Sequence, residues 1–103
     1  MKIVYNKLVR DRIPEIIRKE GKKVEIKILN NEELYSSLRD KLSEEVKEYL
    51  ESGDTKELCD ILEVVYSLSS LQGISKVELE KMRNDKAIKR GGFEDKIFLI
   101  SEE

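Results

Sequence analysis

Three features of this sequence predict a mainly α-helical chain, an antiparallel helical hairpin or bundle with a small two-stranded β element. Its core residues are Leu, Ile and Val with six aromatics and no Trp, and they recur at helical spacing after residue 30. Gly53, Gly73 and Gly91-Gly92 interrupt that periodicity at helix-length intervals. Two short segments, 22–29 and 96–101, alternate polar and apolar residues as a half-buried strand does. At 103 residues, without repeats, linkers or low-complexity tracts, one domain is expected over 1–103.

The elements follow in order. "LVRDRIPEIIRKE" (8–20) predicts a short helix with Asp11 as cap and Pro14 in the first turn, where a missing N–H is tolerated; Gly21 stops it. "KKVEIKIL" (22–29) puts Val24, Ile26 and Ile28 on one side of a strand, and Asn30-Asn31 turns the chain. A long helix is expected over 32–51, ended by Ser52-Gly53-Asp54 with Gly53 in the left-handed C-terminal position. Thr55 suits the N-cap of the next helix, 56–72, which closes at Gln72-Gly73. Ser75 with Glu78 forms a capping-box pattern for a third long helix, ending near Arg90. "KIFLIS" (96–101) is the natural strand partner of 22–29.

Composition removes several function classes. Twenty basic and 22 acidic residues give a net charge of −2, with no global footprint for nucleic acid or an anionic membrane. No apolar run approaches the ~20 residues that span a bilayer, and the start "MKIVYNKLVR" lacks the apolar core of a signal peptide, so a cytoplasmic location is expected. The single cysteine, Cys59, excludes an internal disulfide and sits where a small buried apolar side chain is expected. There is no histidine, so zinc sites, Ser-His-Asp triads and Cys-His pairs cannot be built from this chain alone. A metal here would be held by oxygen, which points to Mg²⁺, Mn²⁺ or Ca²⁺.

The carboxylates carry the functional signal. On a wheel of about 100° per residue, Leu34, Leu38, Leu42 and Tyr49 form a narrow stripe, and Glu45 falls inside it. Glu48 stands on its flank and Glu44 is further toward solvent. On the following helix Leu58, Ile61, Leu62 and Val65 form one apolar face, with Glu57 and Asp60 at its border beside Val64 and Leu71. An uncompensated buried carboxylate costs several kcal/mol, more than a leucine there would contribute. The short link "SGDT" makes the two helices antiparallel neighbours, so the pairs Glu45/Glu48 and Glu57/Asp60 can face one another around a divalent cation. Against this stands a plainer account, solvated acids paired with Lys41, Lys47 and Lys56.

"EEVKE" (44–48) followed by "ELCD" (57–60) resembles the EExxE…ExxD signature of the all-α nucleoside triphosphate pyrophosphatase superfamily, the MazG-like and phosphoribosyl-ATP pyrophosphohydrolase-like proteins. The opening "YNKLVRDRIPEII" (5–17) and the late "KRGGF" (89–93) resemble a MazG-like subgroup of small proteins. The resemblance implies that Glu45, Glu48, Glu57 and Asp60 ligate Mg²⁺ (or Mn²⁺), with Glu44, and Glu45 besides, in catalytic roles around the attacking water. It implies hydrolysis of the α–β phosphate bond of an NTP or dNTP to the monophosphate and pyrophosphate, a house-cleaning role, and assembly as a homodimer or higher oligomer. The gap from Glu48 to Glu57 is eight residues, shorter than in typical MazG domains, so a tight hairpin is needed to align the pairs.

Polyphosphate chemistry also needs positive charge beyond the metal. Arg83, Lys86, Lys89 and Arg90 recur at helical spacing ahead of Gly91-Gly92, and Lys7 and Arg10 lie in the opening motif; these six are the phosphate-binding candidates. The bland counterpart is a solvated basic face and ordinary surface charge. Tyr49 and Tyr66 offer rings for a base but sit where core tyrosines usually do, and Asn84 and Asp85 are undecided by spacing. Two rival functions remain open: a non-catalytic helical dimerisation or regulatory module on the same scaffold, and phosphoribosyl-ATP hydrolysis, which shares the chemistry and differs in substrate.

Overall fold

The computed structural model describes residues 2–103 and contains four helices: α1 (Ile13–Lys19), α2 (Asn31–Ser52), α3 (Thr55–Leu71) and α4 (Lys76–Arg90). The all-α class is as expected. The two-stranded element is not: among the described residues there is no strand, and 22–29 and 96–101 run as irregular chain. The alternating pattern is present, but Ile28 is 87% exposed and Ile97 to Ile100 are exposed as well, so the apolar face has nothing to cover it. A lone two-stranded ribbon in water is marginal without a helix or third strand beneath it.

Local chemistry sets the helix ends. α1 begins at Ile13 rather than residue 8, with Arg12 at the N-cap and no side-chain cap, so Asp11 does not play the expected role; Pro14 does occupy the first turn. At α2, Asn30 accepts from the Glu33 amide at 2.8 Å while the Glu33 carboxylate accepts from the Asn30 amide, a full capping box where the sequence suggested only a turn. Gly53 takes φ +66 and its N–H donates to the Tyr49 carbonyl at 2.7 Å, the left-handed stop that was expected. The N-cap of α3 is Asp54 and not Thr55; its carboxylate accepts from the Lys56 amide at 2.9 Å, and a carboxylate also answers the helix dipole. The end of α3 is a Schellman turn: Ile74 N–H donates to Ser69 O and Gly73 N–H to Ser70 O, both at 3.0 Å, with the Ser69 hydroxyl donating to the Ile74 carbonyl at 2.8 Å. Ser75 and Glu78 make the predicted box at α4, and Gly91 ends it.

The structural heart is the α2–α3 hairpin. Only Gly53 and Asp54 separate the helices, which fold back on each other along their length, while α4 touches α3 lightly and α1 packs on none of them. Leu38 of α2 and Val64 of α3 are the buried apolar residues, and Glu45 and Ser69 are the buried polar ones. The expected apolar face of α3 is corrected. Leu58 and Leu62 point outward, as does Cys59, while Val64 turns to α2. Glu57, Asp60, Val64, Leu68 and Leu71 share an arc of roughly 80° on the α3 wheel, so rotating Val64 inward carries the two acids toward α2 with it.

Candidate metal centre

Five carboxylates from two helices meet in the hairpin. Glu45 is 6% exposed, at the same helical phase as Leu38, and it joins two overlapping groups: Glu44, Glu45 and Glu48 on α2, and Glu45, Glu57 and Asp60 across the hairpin. In each group one carboxylate oxygen from every member lies within 4.8 Å of the others. The short Glu48–Glu57 gap therefore does not keep the pairs apart; with α2 ending at Ser52 and α3 starting at Thr55, two turns lead away from Glu45 and one leads back to Glu57 and Asp60.

The electrostatics follow from that convergence. The Glu45 carboxyl is pushed above the usual 4.5 chiefly by burial and then by the Glu48 charge, with Lys41 pulling the other way. Glu57 is raised as well, first by desolvation and then by Glu48, Glu45 and Asp60. Lys41 Nζ lies 3.4 Å from Glu45 Oε1 and 3.7 Å from Glu44 Oε2. Glu45 Oε2 is buried with no hydrogen-bond partner. One lysine serves one oxygen of Glu45, while the other, beside the Glu48 carboxyl, has no cationic or backbone donor.

Of the six basic candidates, the structure brings two to the carboxylates. Arg10 Nη2 donates to Asp60 Oδ1 at 2.6 Å, and Lys7 Nζ is 3.8 Å from Glu44 Oε1. Arg83, Lys86, Lys89 and Arg90 make no ion pair with the cluster among the described residues. They line an open groove along α4 with Leu79 and Met82, and Arg83 is tied to Glu80 by two hydrogen bonds of 2.9 and 2.6 Å. Of the lysines in the plainer account, Lys41 does pair with the acids, while Lys47 and Lys56 form no ion pair among the described residues. Lys41 is the residue whose importance sequence reasoning underrated, although its i, i+3 and i, i+4 spacing to Glu44 and Glu45 was visible. Tyr66 is engaged by Lys76, whose Nζ sits 4.9 Å from the ring centroid.

The donor set suits a hard dication. Opposite oxygens around Mg²⁺ are about 4.2 Å apart and around Ca²⁺ roughly 5 Å, and within each of the two groups the carboxylate oxygens lie no more than 4.8 Å from one another. The orphaned Glu45 oxygen supplies the vacant lone pairs that such an ion would fill.

No protein-family profile matches the chain, and no solved structure matches it. The chain is 48% identical over 50 residues to an uncharacterized protein of Mycolicibacterium smegmatis (strain ATCC 700084 / mc(2)155), an alignment covering 48% of this chain and 50% of that relative. The matched part thus spans about half the length of each protein.

Proposed function

We propose that this protein is a metal-dependent nucleoside triphosphate pyrophosphohydrolase, cleaving the α–β phosphate bond of an NTP or dNTP to give the nucleoside monophosphate and pyrophosphate. The observation that carries this reading is the buried, unpartnered Glu45 Oε2 at the meeting point of Glu44, Glu48, Glu57 and Asp60. A carboxylate held in a hairpin interface without a partner is a standing cost that a divalent cation relieves.

Glu45, Glu48, Glu57 and Asp60 would hold Mg²⁺ or Mn²⁺, which when bound neutralises polyphosphate oxygens and lowers the barrier to attack at the α-phosphorus. Glu44, half-buried at the rim and ion-paired to Lys7 and Lys41, would orient a water and accept its proton. That water's oxygen bonds to the α-phosphorus as the bond to the bridging oxygen breaks, and pyrophosphate leaves with the electron pair. Lys7 and Arg10, which reach the cluster from outside the hairpin, are the first candidates for the phosphate chain; the α4 groove with Lys86, Lys89 and Arg90 offers a second basic surface. The test is pyrophosphate release from a (d)NTP panel with Mg²⁺ or Mn²⁺; release abolished in Glu48→Gln and Asp60→Asn supports the reading. No release by folded, metal-supplemented protein refutes it. Including phosphoribosyl-ATP in the panel separates the neighbouring substrate class.

We further propose that the working form is a homodimer. Val46 and Leu50 on α2 and Leu58 and Leu62 on α3 are exposed at i, i+4 spacing on the two helices that also hold the site. A second copy laying its own hairpin on this face would close a four-helix core. The same face favours the second reading, a helical dimerisation or regulatory module without catalysis; unaltered dimerisation with no metal-dependent thermal shift would select it.

A further inference from the structure

The segment before α1 has no regular secondary structure, and α1 itself packs on none of the other helices. Among the described residues, its side-chain ion pairs to the rest of the chain are Arg10 to Asp60 at 2.6 Å and Lys7 to Glu44 at 3.8 Å. Both end on the carboxylate cluster. We propose that Lys7 and Arg10 are internal counter-ions that hold the N-terminal segment on the ion-free cluster, and that a divalent cation displaces them, so that loading the site releases the segment. The inference rests on the divalent-cation site of the proposed function.

The charges fit this exchange. Glu44, Glu45, Glu48, Glu57 and Asp60 carry five negative charges when ionised, and Lys7, Arg10 and Lys41 answer three of them. A divalent cation brings the two charges that Lys7 and Arg10 supply, so exchanging it for them leaves the balance of the cluster unchanged. Lys41 is fixed on α2 beside Glu45 with its side chain 19% exposed, so it stays. Lys7 and Arg10 hang on an irregular segment with side chains 48% and 54% exposed, so water can take their place at little cost. A dication arriving at Glu45 and Asp60 repels both and competes with Arg10 for the Asp60 carboxylate.

The opposite role for Arg10 is physically distinct. If its hydrogen bond oriented Asp60 as a ligand, losing it would weaken metal binding, by about 10- to 100-fold where such supporting partners have been removed elsewhere. An orienting partner must itself be held by packing, and this guanidinium is more than half exposed. Linkage then sets the sign: a group that binds the ion-free cluster and is expelled by the ion must, on removal, tighten ion binding.

The experiment is Mg²⁺ titration calorimetry at low ionic strength on the wild type, Arg10→Gln, Lys7→Gln and, as an equal-charge control off the cluster, Arg12→Gln, each checked for helicity by circular dichroism. Arg10→Gln should bind Mg²⁺ about two- to fivefold more tightly, the range an exposed ion pair commands. Lys7→Gln should follow in the same direction by less, and Arg12→Gln should match the wild type. In the wild type, heteronuclear ¹⁵N NOE values of residues 2–12 should fall as Mg²⁺ saturates. Equal or weaker binding by Arg10→Gln, an equal gain in Arg12→Gln, or NOE values that do not fall would overturn the displacement while leaving the cation site intact. Absence of Mg²⁺ binding in all four folded proteins would remove the site itself, and the proposed function with it.

Discussion

Glu45 shows how one side chain can belong to a packing stripe and a chemical site at once. Its phase on α2 places it beside Leu38 in the interface, and its carboxylate is left with Lys41 at one oxygen and nothing at the other. Neutralising it while keeping its shape should help the ion-free fold and end the response to metal. Glu45→Gln is expected to raise the melting temperature in chelator by a few degrees, corresponding to about 1 kcal/mol, and to abolish the Mg²⁺-dependent thermal shift expected of the wild type. Differential scanning calorimetry with EDTA and with Mg²⁺ checks both halves. The pH dependence follows from the raised carboxyls of Glu45 and Glu57. Below the usual 4.5 they are protonated in folded and unfolded chain alike and contribute no slope. Above it the unfolded chain loses these protons first while the folded state still holds them, so the ion-free protein loses stability as pH rises through that window. The cation takes only the ionised form, so the Mg²⁺-induced shift should grow with pH over the same window. Melting curves of wild type minus Glu45→Gln isolate this slope; a difference that rises with pH in chelator would contradict it.

Among the elements, the caps decide where the hairpin begins and reverses. Asn30→Ala should cost about 1 kcal/mol by removing the acceptor for the Glu33 amide, and Ser75→Ala a similar amount at α4. Their consequences differ. α2 carries the carboxylates and α4 does not, so only the Asn30 change should also weaken Mg²⁺ binding, by loosening the start of the helix; urea melts and a Mg²⁺ titration separate the two effects. The Ser75–Glu78 box and the Gly53 stop were legible in the sequence because each is a pattern of neighbouring residues with a single local solution. The Asn30–Glu33 box is the same kind of pattern, but the alternation in 22–29 makes Asn30-Asn31 look like a turn between a strand and a helix. Asp54 displaced Thr55 as cap for a reason the sequence also held, since aspartate both accepts the amide and opposes the positive helix end. The strands failed differently. Alternation in 22–29 and 96–101 states which side chains could share a face, but a ladder needs the two segments brought together over a surface that rewards it, and none is found among the described residues.

For the molecule as a whole, extent is the dominant fact. The radius of gyration is 18.3 Å, where a compact chain of this length has about 13 Å. Its surface of 9773 Å² compares with roughly 6,000 Å² for a folded monomer of this mass. Such a shape strands apolar side chains in water, among them Leu50 at 76% and Leu62 at 50% exposure on the two helices of the hairpin. Light scattering after size exclusion should therefore give twice the 12.0 kDa chain mass. Leu50→Asp combined with Leu62→Asp should shift the population to monomer and lower the melting temperature. A wild type that runs as a monomer at micromolar concentration would refute the dimer.

The order of the helices, most of their ends and the spacing of the acids were written in the sequence, because hydrogen bonding within a turn and the 3.6-residue repeat act over a few neighbours. Helical phase was another matter. A wheel gives the angles between side chains on α3 but not the rotation of that helix about its own axis, and it was packing against α2 that turned Val64 inward and left Leu58, Leu62 and Cys59 in solvent. That one rotation also swung Glu57 and Asp60 onto Glu45, and the fold-back of a distant segment supplied Lys7 and Arg10 as their counter-ions. Contacts between residues 50 positions apart in the chain, such as Arg10 with Asp60, depend on how all the surfaces settle together.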